Sequence, residues 1–337
     1  MNVDSPTWRT LRQVLLGATI GPEACSPQLA QAAVQGNVLR LTLEKAPGLE
    51  QWVSNELEQV IFQDMLLERA SHDLSVALGD LEDSALRLKG SASAHMLFAE
   101  PGFRERRDID LLLTPETRTL AVERLQQAGW SRLPDNERPW WAEREKGRYE
   151  ETMVKEFGGQ RVEADLHFRL SLYRHLGGSS ASLLGRSHRR DGLSFRLPSL
   201  EDLALHTALH AASTGFRVPL KSWFDLHLLS MHSEFDWNLL LEEADAWNIP
   251  TALWSALSVI SRLFGTKIPG DVLDRLKPSR PLRSSLMRLL CGDGETPVPS
   301  APFEEARRQA AKSLALGGTK PWELVLEQTR IRLEQPE

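Results

Sequence analysis

Apolar residues keep to one helical face through the first part of the chain. Leu49, Trp52, Val53, Leu57, Val60, Ile61 and Met65 recur at the three-to-four spacing of an amphipathic helix. Ser26-Pro27 sets a capping hydroxyl before a proline with a helix-compatible φ, so a helix is expected to start there. Residues 1–82 therefore read as an N-terminal helical lead-in.

The period shortens from 83 to 197. Ala85-Leu86-Arg87-Leu88 is a short strand candidate running into Lys89-Gly90-Ser91, and the segment after it predicts a helix closed by Pro101-Gly102. Asp108-Ile109-Asp110-Leu111-Leu112-Leu113 alternates and then becomes fully apolar, as a strand entering a core does. Thr114-Pro115-Glu116 opens a helix carrying Leu120, Val122 and Leu125 that closes at Gly129. Two alternating runs, 149–157 and 160–170, flank Gly158-Gly159, and both glycines can take the positive φ of a tight hairpin.

From 198 to 337 the helical pattern returns. Ser199-Leu200-Glu201-Asp202 resembles a capping box, and helices are expected near 200–213, 221–231, 237–247, 250–264, 280–290, 301–315 and 321–333. The expected fold is α+β: a small mixed sheet between the N-terminal lead-in and a C-terminal helical domain and tail.

Composition narrows the function classes. With 337 residues, 41% of them hydrophobic and 26% charged, the chain can bury a full core. A net charge of -6 disfavours nucleic-acid coats and anionic membranes, which both call for a basic surface. Two distant cysteines, Cys25 and Cys291, exclude a disulfide scaffold and a Cys-based zinc site. The opening MNVDSPTWRT has no apolar signal run and no stretch of 18 apolar residues follows, so a soluble cytoplasmic protein is expected.

The chemistry concentrates in the middle region. Asp108 and Asp110 stand at i and i+2 of a strand and face one way, as oxygen ligands for a hard cation such as Mg²⁺ would. Asp-x-Asp is a short pattern, and two acids on an exposed strand face would look the same. Lys89-Gly90-Ser91 lies upstream at a strand-to-helix junction, where backbone N–H groups, a hydroxyl and an ammonium suit a phosphate chain. An ordinary turn with Ser91 as a cap is the plainer alternative. Downstream, Asp165 and His167 share the polar face of a strand, so a third carboxylate could join the pair.

Weaker candidates surround these. His206 and His210 stand four apart on one helix face, either lining a pocket or simply packing, and without a metalloprotease pattern between them. Arg104, Arg106 and Arg107 are either phosphate ligands or solvated surface. Pro139-Trp140-Trp141 suits packing, and Glu143, Glu145, Glu150 and Glu151 read as solvent-facing charges.

Taken as a set, the Gly-Ser turn, helix, Asp-x-Asp and third Asp resemble the nucleotidyltransferase superfamily that includes DNA polymerase β and the aminoglycoside nucleotidyltransferases. More narrowly, LKGSASAHMLFAEPGFRERRDIDLLL, ADLHFRL and LALHTALHAASTGFRVPLKSWFDLHLL resemble the bacterial family of uncharacterised nucleotidyltransferases, over about 85–230. His210, Lys221 and Asp225 fall at the family's His, basic and Asp positions. The resemblance implies that Asp108, Asp110 and Asp165 bind two Mg²⁺ ions, with Mn²⁺ as a substitute, and that Asp165 also orients the acceptor. It further implies that Gly90 and Ser91, helped by Lys89 and Arg104, hold the nucleotide's phosphates, with His210, Lys221 and Asp225 closing over it or simply packing their helices. His167, two residues past Asp165 on its face, is a candidate contact to acceptor or phosphate, or else a partly exposed strand histidine.

The activity so implied is transfer of NMP from an NTP to a hydroxyl or phosphate of a small molecule or protein, with release of pyrophosphate. The alternative is a catalytically weak nucleotide-binding or protein-interaction module that kept the fold. A template polymerase is disfavoured by the acidic balance.

Overall fold

The computed structural model describes residues 5–134, 137, 149–291 and 302–317. Its strands are β1 (Leu86–Arg87), β2 (Ile109–Leu112), β3 (Ser131–Arg132), β4 (Glu150–Phe157) and β5 (Gln160–His167). The helices are α1 (Pro6–Leu15), α2 (Pro27–Gly36), α3 (Leu39–Lys45), α4 (Ser54–Leu78), α5 (Lys89–Leu97), α6 (Arg118–Gln127) and α7 (Ser180–Arg186). They continue with α8 (Leu200–Ser213), α9 (Leu220–Met231), α10 (Trp237–Ala246), α11 (Pro250–Phe264), α12 (Gly270–Leu276), α13 (Arg280–Cys291) and α14 (Pro302–Gly317). The fold is α+β with helical flanks, as expected. Three short elements, β3, α7 and α12, carry too few residues to show a period. Pro139-Trp140-Trp141, Glu143, Glu145 and the helix expected at 321–333 lie outside the described residues.

The sheet order is β1-β2-β5-β4-β3, mixed because β2 runs parallel to β5 while the other pairs are antiparallel. Gly158 and Gly159 turn the β4–β5 hairpin at φ 59° and 80°, conformations that cost a residue with a Cβ much more. Period-two alternation sorts the strands into two faces. Ile109 and Leu111 of β2, Ala164 and Leu166 of β5, and Met153 of β4 pack with α4 and α6 in one core. The opposite face carries Asp110, Asp165, His167, Glu150 and Thr152.

A second and larger core lies on that opposite side. It joins Trp8, Leu11 and Leu29 of the N-terminal helices to Leu112, Leu205, Leu209, Leu226 and Leu257, so packing continues across positions 82 and 197. Helix α5 packs on β2 at the polar face, α8 and α9 pack against α5, and α8 brings His206 beside His167. Ser199 anchors α8 by accepting the Asp202 N–H at 3.1 Å. Ser199→Ala should cost about 1 kcal/mol, read as a lower urea midpoint with an unchanged slope; an unchanged midpoint would show that the cap carries no stability.

Candidate functional site

The site is assembled by register. Asp110 pairs across the sheet with Asp165, which pairs on its other side with Thr152, and His167 is flanked by Leu112 and Glu150. One oxygen from each of Asp110 and Asp165 and one ring nitrogen of His167 lie within 4.8 Å of one another, the atom set of a cation centre. Two carboxylates suit Mg²⁺ or Mn²⁺, and the imidazole favours the softer of these.

Lys89 reaches into this centre from the start of α5. Its Nζ donates to Asp110 Oδ1 at 2.5 Å and lies 3.4 Å from His167 Nε2, which in turn lies 2.9 Å from the same oxygen. Burial opposes charge on Asp110, yet the Lys89 ammonium and His167 hold its carboxyl well below the usual carboxylate range. Burial also opposes charge on Lys89, and Asp110, Glu150 and Asp165 outweigh it to keep the ammonium protonated. Thr152 donates to Asp165 at 2.7 Å. Burial and the Asp110 charge nonetheless push the Asp165 carboxyl up.

Asp108 stands apart from that compact set. Strand β2 begins only at Ile109, so Asp108 sits at its mouth, partly exposed. Its carboxyl is pushed up to about 6, first by the Asp110 charge and then by burial. Between about pH 4 and 6 the folded chain therefore holds a proton that the unfolded chain releases, so this contribution to stability fades as pH rises. In chelator, wild type should lose about 2 kcal/mol relative to Asp108→Asn between about pH 4 and pH 7. Urea titrations of both proteins check this; a gap that stays constant over that range would contradict it.

Glu150 corrects the sequence expectation. Together with Glu151 it reads as a solvent-facing charge, but β4 lies inside the sheet and neither side chain faces water freely. Glu150 Oε2 lies 3.1 Å from His167 Nδ1, a charge contact without hydrogen-bond geometry, while the other ring nitrogen, Nε2, meets Asp110. Burial pushes the Glu150 carboxyl up to about 6. Glu151, 7% exposed, lies 3.3 Å from Arg132 and 3.5 Å from Arg118 on the opposite face. Tyr149 is a further residue without a sequence signal; its ring packs edge-on against His167 at 5.9 Å.

The Lys89-Gly90-Ser91 turn is less ordinary than a capped helix start. Leu88 holds the cap position with no side-chain cap bond, and Lys89 adopts φ 44°, a conformation rare for a residue with a side chain. The Ser91 hydroxyl is buried and finds no hydrogen-bond partner. Two arginines flank Gly90, since a Cβ there would stand 3.5 Å from both Arg104 Nη1 and Arg106 Cγ.

Arg104 is fully engaged. Its Nε lies 2.8 Å from both Asp225 oxygens, its Nη2 lies 2.7 Å from Oδ2, and Nη1 donates to the Glu105 carbonyl at 2.6 Å. Arg106 is buried instead of solvated. Its Nη2 binds Asp64 and Glu68 of α4, while Nε and Nη1 find no partner. Lys221 donates to the same Glu105 carbonyl at 2.8 Å, and burial together with Arg104 lowers its ammonium to about 8.

His206 and His210 face the same pocket from α8. The His206 ring lies 6.5 Å from that of His167, and its Nδ1 is buried without a partner. Burial, reinforced by Lys89, keeps both rings neutral, with His210 lowered to about 3. The structure thus brings Lys89, Asp110, Asp165, His167 and His210 together and sets Asp108 and Lys221 at the rim. Arg104 and Asp225 lie beside the turn, bound to each other.

Fold and site together define an α+β protein with a buried carboxylate centre fit for a divalent cation, set against a strand-to-helix turn fit for phosphate. A family described as "Uncharacterised nucleotidyltransferase" matches residues 28–265. The chain belongs to that family. The match extends beyond the segment 85–230 in both directions and takes in α2 to α4, of which α4 supplies Asp64 and Glu68 to Arg106. No curated protein matches the chain, and no solved structure does. Among the described residues, no helix is long and apolar enough to cross a membrane.

Proposed function

We propose that the chain is a Mg²⁺-dependent nucleotidyltransferase that moves NMP from an NTP to a hydroxyl or phosphate of a small molecule or protein. The observation that carries this is the pairing of Asp110 with Asp165 directly beside the Lys89-Gly90-Ser91 turn, in a member of this family. Asp110 and Asp165, with Asp108 at the rim and His167 as a further donor, would hold the divalent cations. A cation there supplies positive charge for the phosphates and lowers the pKa of an acceptor hydroxyl.

The chain's own groups divide the remaining work. Backbone N–H groups at the start of α5, the Ser91 hydroxyl and the Lys89 ammonium bind the β and γ phosphates. Lys221, at the rim, adds a further charge toward them. Asp165, steadied by Thr152, takes the proton of the acceptor hydroxyl as that oxygen attacks the α-phosphorus. The new bond forms between acceptor oxygen and α-phosphorus, the bond from α-phosphorus to the β-bridging oxygen breaks, and pyrophosphate leaves with its electron pair. Arg104 and Asp225 brace the loop ahead of β2 against α9.

The test is mass analysis of candidate acceptors incubated with each NTP and Mg²⁺. A gain equal to one NMP supports transfer. Nucleotide binding with no transfer and no pyrophosphate across a broad panel favours the binding-module alternative.

A further inference from the structure

We propose that Lys89 is an exchangeable counter-ion that stands where a divalent cation would bind Asp110 and leaves for the incoming triphosphate, so that metal and nucleotide enter together. This rests on the nucleotidyltransferase reading of the site.

The argument is one of space and charge. The ammonium lies 2.5 Å from Asp110 Oδ1 and 3.4 Å from His167 Nε2, atoms of two of the three residues of the cation centre. Mg²⁺ binds oxygen at about 2.0–2.1 Å, so an ion on Oδ1 and Nε2 would stand in the space that Nζ holds. The two cations exclude each other by contact and by repulsion. Metal alone must therefore evict an ammonium from a buried carboxylate, which weakens binding by the strength of that pair.

Eviction becomes favourable when the ammonium has another anion to meet. Lys89 belongs to the same turn as Ser91, whose buried hydroxyl finds no partner, so a phosphate chain bound there would offer Nζ an anion outside the cation centre. The side chain keeps 25% of its surface exposed, and its four-carbon stem is flexible. One ammonium thus serves two positions: on Asp110 before substrate, and on phosphate after it. Such an exchange is a positive coupling between metal and nucleotide, and it is reciprocal.

The experiment titrates Mn²⁺ into the full-length chain, with and without the unreactive α,β-methylene analogue of ATP, following free Mn²⁺ by electron paramagnetic resonance. Wild type should bind Mn²⁺ weakly alone and at least about tenfold more tightly with the analogue. Lys89→Met should gain about tenfold in nucleotide-free affinity and lose most of the coupling. Lys221→Met, which removes a nearby charge that does not touch Asp110, should gain far less. A residue with a purely structural role would lower metal affinity when removed, so the gain is diagnostic.

Lys89→Gln provides a second variant. Should Lys89→Met fold poorly without metal, Mn²⁺ alone should raise its melting temperature more than that of wild type. The proposal is overturned if Lys89→Met binds nucleotide-free Mn²⁺ no better than wild type, if Lys221→Met gains as much, or if coupling persists without Lys89. Failure of wild type and every variant to bind Mn²⁺, even with the analogue, would instead bring down the reading of the site on which the proposal rests.

Discussion

Asp110→Asn should lower nucleotide transfer by about 10³-fold, the scale of removing one preorganised group that stabilises transition-state charge. The substitution keeps the size of the side chain and removes only its charge. Asp110 is the common partner of Lys89 at 2.5 Å and His167 at 2.9 Å, and it is 1% exposed. Without that charge the ammonium stays in a largely buried pocket with its nearest anion gone. Removing one member of a buried pair costs about 3–5 kcal/mol, and the partial exposure of Lys89 puts the expected loss at the low end, about 3 kcal/mol. Activity and chelator-treated urea stability should therefore fall together. A variant that is fully stable and fully active would show that Asp110 is neither the metal ligand nor the anchor of Lys89.

The second large effect lies outside the carboxylate centre. Arg104 and Asp225, 121 positions apart in sequence, form a buried pair whose side chains are 6% and 3% exposed. Asp225→Asn leaves a guanidinium enclosed beside Lys221, at a cost of about 3–5 kcal/mol. The loss should exceed that of the double variant Arg104→Met with Asp225→Asn, because the double variant encloses no unpaired charge.

A functional consequence should accompany the stability loss. The same segment carries Glu105, whose carbonyl accepts from both Arg104 and Lys221 and whose carboxylate accepts the backbone N–H of Leu39 at the start of α3. Loosening it frees the approach to Asp108, so KM for the nucleotide should rise more than kcat falls. Paired denaturation and steady-state titrations of the three proteins check both effects. Equal stability of the single and double variants would contradict the pairing.

The parts of this site that could be read from sequence are those whose signal is local. Gly158-Gly159 carries its turn in its own conformational freedom, and Asp110 sits on a strand whose leucines announce a core. Ser199 marks the start of α8 by its hydroxyl alone. The residues that escaped depend on neighbours supplied from elsewhere. Glu150 and Glu151 are polar positions in an alternating run, and only the β4–β5 register and β3 on the far side show that neither faces solvent.

Other features needed the folded chain for the same reason. That Arg104 is bound by Asp225, while Arg106 is turned toward α4, depends on contacts more than thirty residues distant. Asp108 and Asp110 look equivalent in Asp-x-Asp, yet β2 begins between them and only Asp110 joins Asp165 and His167. That a ring nitrogen of His167 lies within 4.8 Å of carboxylate oxygens of Asp110 and Asp165 likewise follows from three-dimensional proximity.

The most direct measurement of the central claim is the fate of label from an NTP carried on its α-phosphorus or on its γ-phosphorus, with Mg²⁺ and an acceptor extract. Wild type should move the α label onto acceptor and release the γ label as pyrophosphate, and the Asp108→Ala, Asp110→Ala double variant should do neither. Transfer of the γ label to acceptor, or α-label transfer that survives in the double variant, would contradict it.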